Sequence, residues 1–143
     1  MNKAIILLSL LAISVFIITP VSANSLDTKL SDTEVEPKAY TYLTEGLGRL
    51  SYIGDGSFYL YGRTSASQNV SEIEIEITLQ RWNGSVWVNL TTYSNVNYNS
   101  NRVTEARILT VPTGHYYRLF GKHTVRHGIT EVAFSYTSPI YAN

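Results

Sequence analysis

Glu72, Glu74 and Glu76 alternate with Ile73, Ile75 and Ile77, and this is the chain's closest approach to a carboxylate pair. Alternate residues of a strand share a face, so neighbouring carboxylates in such a run stand about 6.6 Å apart. That distance overlaps the spacing of acid and base in glycoside hydrolysis. Such chemistry also needs a carboxyl of raised pKa held in a cleft. Three Glu in a row on the wet face of a strand describe a solvated, charged surface instead. The histidines are His115, His123 and His127. On one continuous strand the first two share a face but lie about 26 Å apart, too far to ligate one ion. His123 and His127 have only Glu131 nearby as an acidic third ligand. The expected roles are a turn residue for His127 and a partly buried, hydrogen-bonded imidazole for His123. No Gly-x-Ser-x-Gly elbow and no glycine-rich loop leading into a helix occur, and both are needed for their chemistries. Asp is scarce in the loops, which disfavours a calcium site. The residues imply no catalytic group, no metal and no cofactor.

Aromatic residues are the more informative feature. The chain holds 11 Tyr and 2 Trp. Phe58, Tyr117, Phe134 and one of the two Trp are expected in the core. Tyr59, Tyr61, Trp82, Tyr116 and Phe120 lie on the opposite parity from the aliphatic positions. Outward rings can stack on sugars or anchor a protein partner. They also favour strands for conformational reasons alone. The candidate ligand-binding residues are Tyr59, Tyr61, Trp82, Trp87 and Tyr98. The segment from Tyr93 to Asn101 is polar with aromatic ends, and reads either as a recognition loop or as a long connection.

These residues require a β scaffold. From Tyr40 onward Val, Ile, Thr and Tyr abound, and no window holds an amphipathic helix. Expected strands run over Tyr42–Tyr52 (weakened by Gly46 and Gly48), Ser57–Ala66, Ser71–Trp82, Val86–Tyr93, Val103–Val111, Tyr116–Val125 and Thr130–Tyr136, with a stub at Ile140–Tyr141. Gly54-Asp55-Gly56, Asn83-Gly84, Pro112-Thr113-Gly114 and His127-Gly128 mark turns. About seven strands at this spacing predict an all-β, two-sheet antiparallel sandwich of Ig-like architecture, with a small closed barrel as the other option. In that sandwich Ser71–Trp82 neighbours Tyr116–Val125. The Ile face then shares the core with Tyr117, Leu119, Gly121 and Val125. Glu72, Glu74 and Glu76 lie beside Arg118, Lys122 and Arg126, which offsets their repulsion.

The 143-residue chain divides into three parts. Residues 1–23 read as an export signal: Lys3, an apolar run from Ala4 to Ile18, Pro20, and Val21-Ser22-Ala23 as a small-x-small cleavage site. Residues 24–39 read as a flexible, mixed-charge arm, and residues 40–143 as the β domain. The apolar run is short for a bilayer span, so no stable membrane anchor is expected after cleavage. Eleven basic residues balance eleven acidic ones, which argues against nucleic acid as a partner. There is no cysteine, so no disulfide or thiolate site exists. An exported, cysteine-free domain suits a Gram-positive bacterium better than a eukaryotic secretory route.

Three blocks carry a resemblance. They are Leu79–Val88 (LQRWNGSVWV), Thr113–His123 (TGHYYRLFGKH) and Ser135–Tyr141 (SYTSPIY). In this order they resemble a family of small secreted proteins of Gram-positive bacteria with the pattern L-Q-R-[WY]-N-G-x-x-W-V, then G-x-Y-Y-R-V-x-G-x-H, then S-Y-T-S-x-I-Y. The resemblance implies secretion and a β-sandwich, and brings no activity, substrate or catalytic residue with it. The expected function is a secreted, non-enzymatic recognition module for an extracellular protein or glycan, acting through exposed aromatics. The alternative is an effector or inhibitor of an extracellular hydrolase acting through its loops.

Overall fold

The computed structural model describes residues 39–143. The expected signal segment and all but the last residue of the expected arm lie outside the described residues. The described chain is all-β and antiparallel. Its strands are β1 (Leu43–Gly54), β2 (Ser57–Trp82), β3 (Trp87–Thr110), β4 (His115–His127), β5 (Ile129–Tyr136) and β6 (Ile140–Ala142). They form one sheet in the order β1-β2-β4-β5, with β3 on the other side of β2 and β6 paired to β4. The sheet curls into half a barrel.

The two-sheet, Ig-like division is therefore corrected to one continuous sheet, in which the seven expected strands merge into five and the stub at Ile140 becomes the sixth, β6. The reason lies at residues 66–70. The polar run Ser67-Gln68-Asn69 reads as a loop, yet β2 crosses it without leaving the sheet. Ser65 pairs with Arg102 and Val70 with Ser100, so β2 carries three more residues than β3 at this point. An insertion of that kind bends a strand sharply while keeping the ladder on either side. The first half of β2 pairs with β1, and the second half pairs with β4. β3 follows β2 through the bend, helped by Asn99 in the left-handed region (φ 48°). The expected Tyr93–Asn101 loop is thus an interior stretch of β3. Asn depletes strands in general. Here the Asn95 and Asn97 amides donate to the Thr104 and Arg102 carbonyls of the same strand, each at 2.8 Å, across the bend.

The curl brings β1 and the first half of β2 over β4, β5 and the second half of β2. Phe58, Leu60, Ile73, Ile75, Ile77, Leu79, Tyr117, Leu119 and Val125 fill the space between. The Ile row and the β4 row pair as expected: Ile73 with Val125, Ile77 with Gly121, Leu79 with Leu119. Two core expectations fail. Phe134 points outward and is about half exposed, because the inward positions of β5 belong to Glu131, Ala133 and Ser135. Both Trp are only half-buried, at the far end of the β2–β3 hairpin.

Gly46 and Gly48 do not weaken β1; they let it approach. A Cβ at Gly46 would lie 2.5 Å from Cδ2 of His123, and one at Gly48 would lie 3.1 Å from Oγ of Ser135. The start of β1 is held by Glu131, which is buried. Its carboxylate accepts the backbone N–H groups of Thr41 (2.5 Å), Tyr42 (2.9 Å) and Leu43 (2.7 Å).

Candidate functional site

From Ile73 to Leu79 the odd-numbered residues of β2 point into the core, and the even-numbered ones line the other face, where Thr78 and Gln80 are themselves buried. β4 and β5 follow the same alternation. The outer face therefore collects Gln80 and Trp82 from β2, Trp87 from β3, Arg118 and Phe120 from β4, and Phe134 and Tyr136 from β5. At the hairpin tip Asn83 Oδ1 accepts the N–H groups of Ser85 and Val86, both at 2.9 Å, and Gly84 takes φ 100°. This tight turn puts Trp82 directly opposite Trp87, with ring centroids 5.4 Å apart.

From the Trp pair an aromatic row runs across the sheet. The Arg118 guanidinium lies 4.5 Å from the Trp87 ring centre and 4.8 Å from that of Tyr136. Its Nε donates to Gln80 Oε1 at 2.7 Å, and Gln80 Nε2 donates to Asn89 Oδ1 at 2.8 Å. Burial lowers the Arg118 pKa, but a guanidinium still keeps its charge at neutral pH. Phe120 stacks on Tyr136 (5.0 Å, 30°) and on Phe134 (5.7 Å, 22°). Tyr116 and Tyr141, directly opposite across β4 and β6, add a further pair at 5.0 Å. Phe134, Tyr136, Tyr116 and Tyr141 are each 42–52% exposed. Phe120, Phe134 and Tyr136 lie face to face, the Trp82–Trp87 and Tyr116–Tyr141 pairs are tilted, and the Arg118 charge is spread between two rings.

Beyond this row the same face becomes ionic. Lys122 donates to Glu76 at 2.5 Å, and Arg126 donates to both Glu72 and Glu74. The Glu row therefore has the cationic neighbours the alternation predicted, with Gln80 rather than a Glu opposite Arg118. All three carboxylates carry ion pairs on an open sheet face, which suits a charged surface and not an acid–base pair.

The expected ligand-binding residues fall in three places. Trp82 and Trp87 join the row. Tyr59 and Tyr61 lie on the outer surface of the opposite layer, against Ile108 and Ala106 of β3 and Ser51 and Arg49 of β1. Tyr98 sits at the β3 bend opposite Glu72, two-thirds exposed, beside a shallow open depression lined by Arg126, His127 and Thr130. Arg118, Phe134 and Tyr136 were absent from the sequence-derived set. Parity with Phe120 and with the Ile row was the signal that could have found them.

His123 is the one group with a catalytic look. Its Nε2 lies 2.8 Å from Ser135 Oγ and its Nδ1 lies 2.9 Å from Thr64 Oγ1. All three residues are buried, His123 and Thr64 completely. A nucleophile must meet substrate, and here β1 passes directly over the imidazole through Gly46. Burial drives the His123 pKa down to about 4, against the raising influence of an Arg63 backbone hydrogen bond and the Glu45 charge. The trio is a satisfied polar knot in the core. His127, half-buried at the β4–β5 turn, accepts the Ser71 N–H at 3.2 Å through Nδ1 and meets Tyr42 edge-on. Among the described residues no cluster of His, Cys, Asp and Glu has the arrangement of a metal site.

Comparisons with protein-family models, with curated proteins and with solved structures return no match to this chain.

Proposed function

We propose that this chain is a secreted, non-enzymatic recognition module whose outer sheet face binds a cell-surface protein. The row Trp82–Trp87–Arg118–Tyr136–Phe120–Phe134 is the observation that carries this reading. Its composition is that of a protein-interface core, rich in Trp, Tyr, Phe and Arg and free of Asp, Glu and Lys. The ion-paired half of the face, with Glu72, Glu74, Glu76, Lys122 and Arg126, supplies a polar border. Rings that stack on one another leave little flat ring face for a sugar, which favours a protein over a glycan. A glycan remains the second reading because Phe134, at the end of the stack, has one neighbour in the row and is half exposed. An inhibitor acting through a Tyr93–Asn101 loop loses its support, since that segment is strand. Secretion rests on the export signal read in residues 1–23 and on the family resemblance.

Pelleting with washed Gram-positive cell envelopes, before and after protease treatment of the envelopes, tests this function. Salt-resistant pelleting that protease abolishes supports a protein ligand. Pelleting that survives protease replaces it with the glycan reading. A protein that stays in the supernatant with both preparations overturns recognition at the cell surface.

A further inference from the structure

Among the described residues β3 is an edge strand over its entire length. It pairs with β2 from Trp87–Trp82 through to Thr110–Ser57, and no described strand pairs with its other side. Edge strands expose a row of main-chain N–H and C=O groups, and proteins normally guard them with charge, bulges or capping side chains. The later part of β3 is guarded. It carries Arg102, Glu105 and Arg107, with Arg107 2.8 Å from Glu105. At the bend, Asn95 and Asn97 occupy the carbonyls of Thr104 and Arg102. The first part is different. From Asn83 to Asn101 there is no Asp, Glu, Lys or Arg. Val86, Val88 and Leu90 all stand exposed there. The register shift opposite Leu79 and Gln80 leaves Leu90 without a Cα partner on β2, so this part of the edge carries a single bulge and no charge.

We propose that this chain forms a homodimer by antiparallel pairing of the Trp87–Tyr93 stretch of β3 with the same stretch of a second copy. Antiparallel pairing of two identical strands is self-complementary about a two-fold axis. It brings near-identical residues opposite one another, so any charge in the stretch would meet a like charge at close range. The absence of charge over Asn83–Asn101 removes that penalty. It equally removes the attraction that would draw a charged peptide to the same edge. Exposed Val88 and Leu90 of the two copies then lie at the seam, and the sheets become continuous. Trp87 lies on this edge strand, so pairing brings the aromatic rows of both copies onto one face. This proposal is independent of what that face binds.

Sedimentation velocity of the protein recovered from cells expressing the full chain, from about 1 to 200 µM, reads the association directly, in the range expected for a small strand-edge interface. The expected result is a weight-average mass that rises towards twice that of one chain, and that stays at one chain in Val88→Lys and in Leu90→Lys. Both positions are exposed, so the fold tolerates the change, and circular dichroism checks it. Ile129→Lys, at the exposed β4–β5 turn, should associate as the unaltered chain does. Amide exchange on the unaltered chain gives a second reading that needs no variant. The Trp87–Tyr93 amides should gain several-fold protection at the higher concentration, while the Arg102–Thr110 amides do not. A mass that stays at one chain throughout overturns the proposal. So does association undiminished in both β3 variants, or protection that appears elsewhere and not on Trp87–Tyr93.

Discussion

His123 shows at single-residue scale how the core constrains chemistry. An imidazole ordinarily titrates near 6.5; here burial holds it at about 4. Between those values the unfolded chain binds a proton that the folded chain refuses. Stability is therefore fully present above about pH 6.5 and falls as pH drops towards 4, by about 3 kcal/mol for a shift of this size. Urea unfolding at pH 7.5, 5.5 and 4.5 should show that decline, and His123→Gln should flatten it within this window. Glu131 and Glu45 add to acid sensitivity lower down. The Glu131 pKa is lowered because three backbone donors outweigh the opposing effect of burial, and that of Glu45 chiefly by its hydrogen bond from Arg63. Both contributions are present above the ordinary carboxylate range and are lost as pH falls below it. The cradle is as specific as the imidazole. Gly46→Ala places a methyl 2.5 Å from the ring, and overpacking of this kind costs about 1–3 kcal/mol. Gly121→Ala, 2.5 Å from Ser135 Oγ, should cost a similar amount in the same unfolding measurement. A hydrogen-bonded His123 was legible in the sequence from its inward parity in β4. Its complete burial was not, because nothing local to β4 reveals that the glycines of β1 pass over it.

At the scale of elements, alternation was read correctly and continuity was not. The Ser71–Trp82 pattern gave the buried face and the Glu face, with Arg118, Lys122 and Arg126 expected beside it; the structure sets Lys122 on Glu76 and Arg126 on Glu72, and Arg118 on Gln80. Those features depend only on the period of two and on charge pairing across strands. Residues 67–70 and 94–102 fall between the expected strands because polar residues dominate there. They are bends within β2 and β3, where side chains such as Asn95 replace ladder partners. Glu131 illustrates a link between elements that no local pattern announces: an acidic residue of β5 organises the entry to β1, some 90 residues earlier. Hydrogen bonds to a charged acceptor are worth about 1.5–3 kcal/mol. Glu131→Ala should therefore destabilise the protein by about that much or more. Amide exchange should show Thr41, Tyr42 and Leu43 losing protection, while the Ile73–Leu79 amides keep theirs until global unfolding.

For the whole molecule, the curl of one sheet does the work that two sheets would do in a sandwich. Its inner surface is filled by the Ile row, Phe58 and Tyr117. Its outer surface is divided: Tyr59 and Tyr61 on one layer, the aromatic row and the paired charges on the other. Composition alone signalled that outward rings exist, but which of them share a surface depends on the order of strands, and that order comes from the bend in β2. The central claim is that the row containing Arg118 and Tyr136, and not the Tyr59–Tyr61 surface, is the recognition face. Replacing the exposed Tyr136 by Ala removes one wall of the Arg118 sandwich and one partner of Phe120, and leaves the core untouched. The decisive comparison is the affinity of Tyr136→Ala and of Tyr61→Ala for cell envelopes, measured against the unaltered chain with folding checked for each. Hot-spot aromatics contribute about 2 kcal/mol or more, so Tyr136→Ala should weaken binding by at least about 30-fold and Tyr61→Ala by less than about threefold. Equal binding by Tyr136→Ala and the unaltered chain, or a larger loss from Tyr61→Ala, would contradict the assignment.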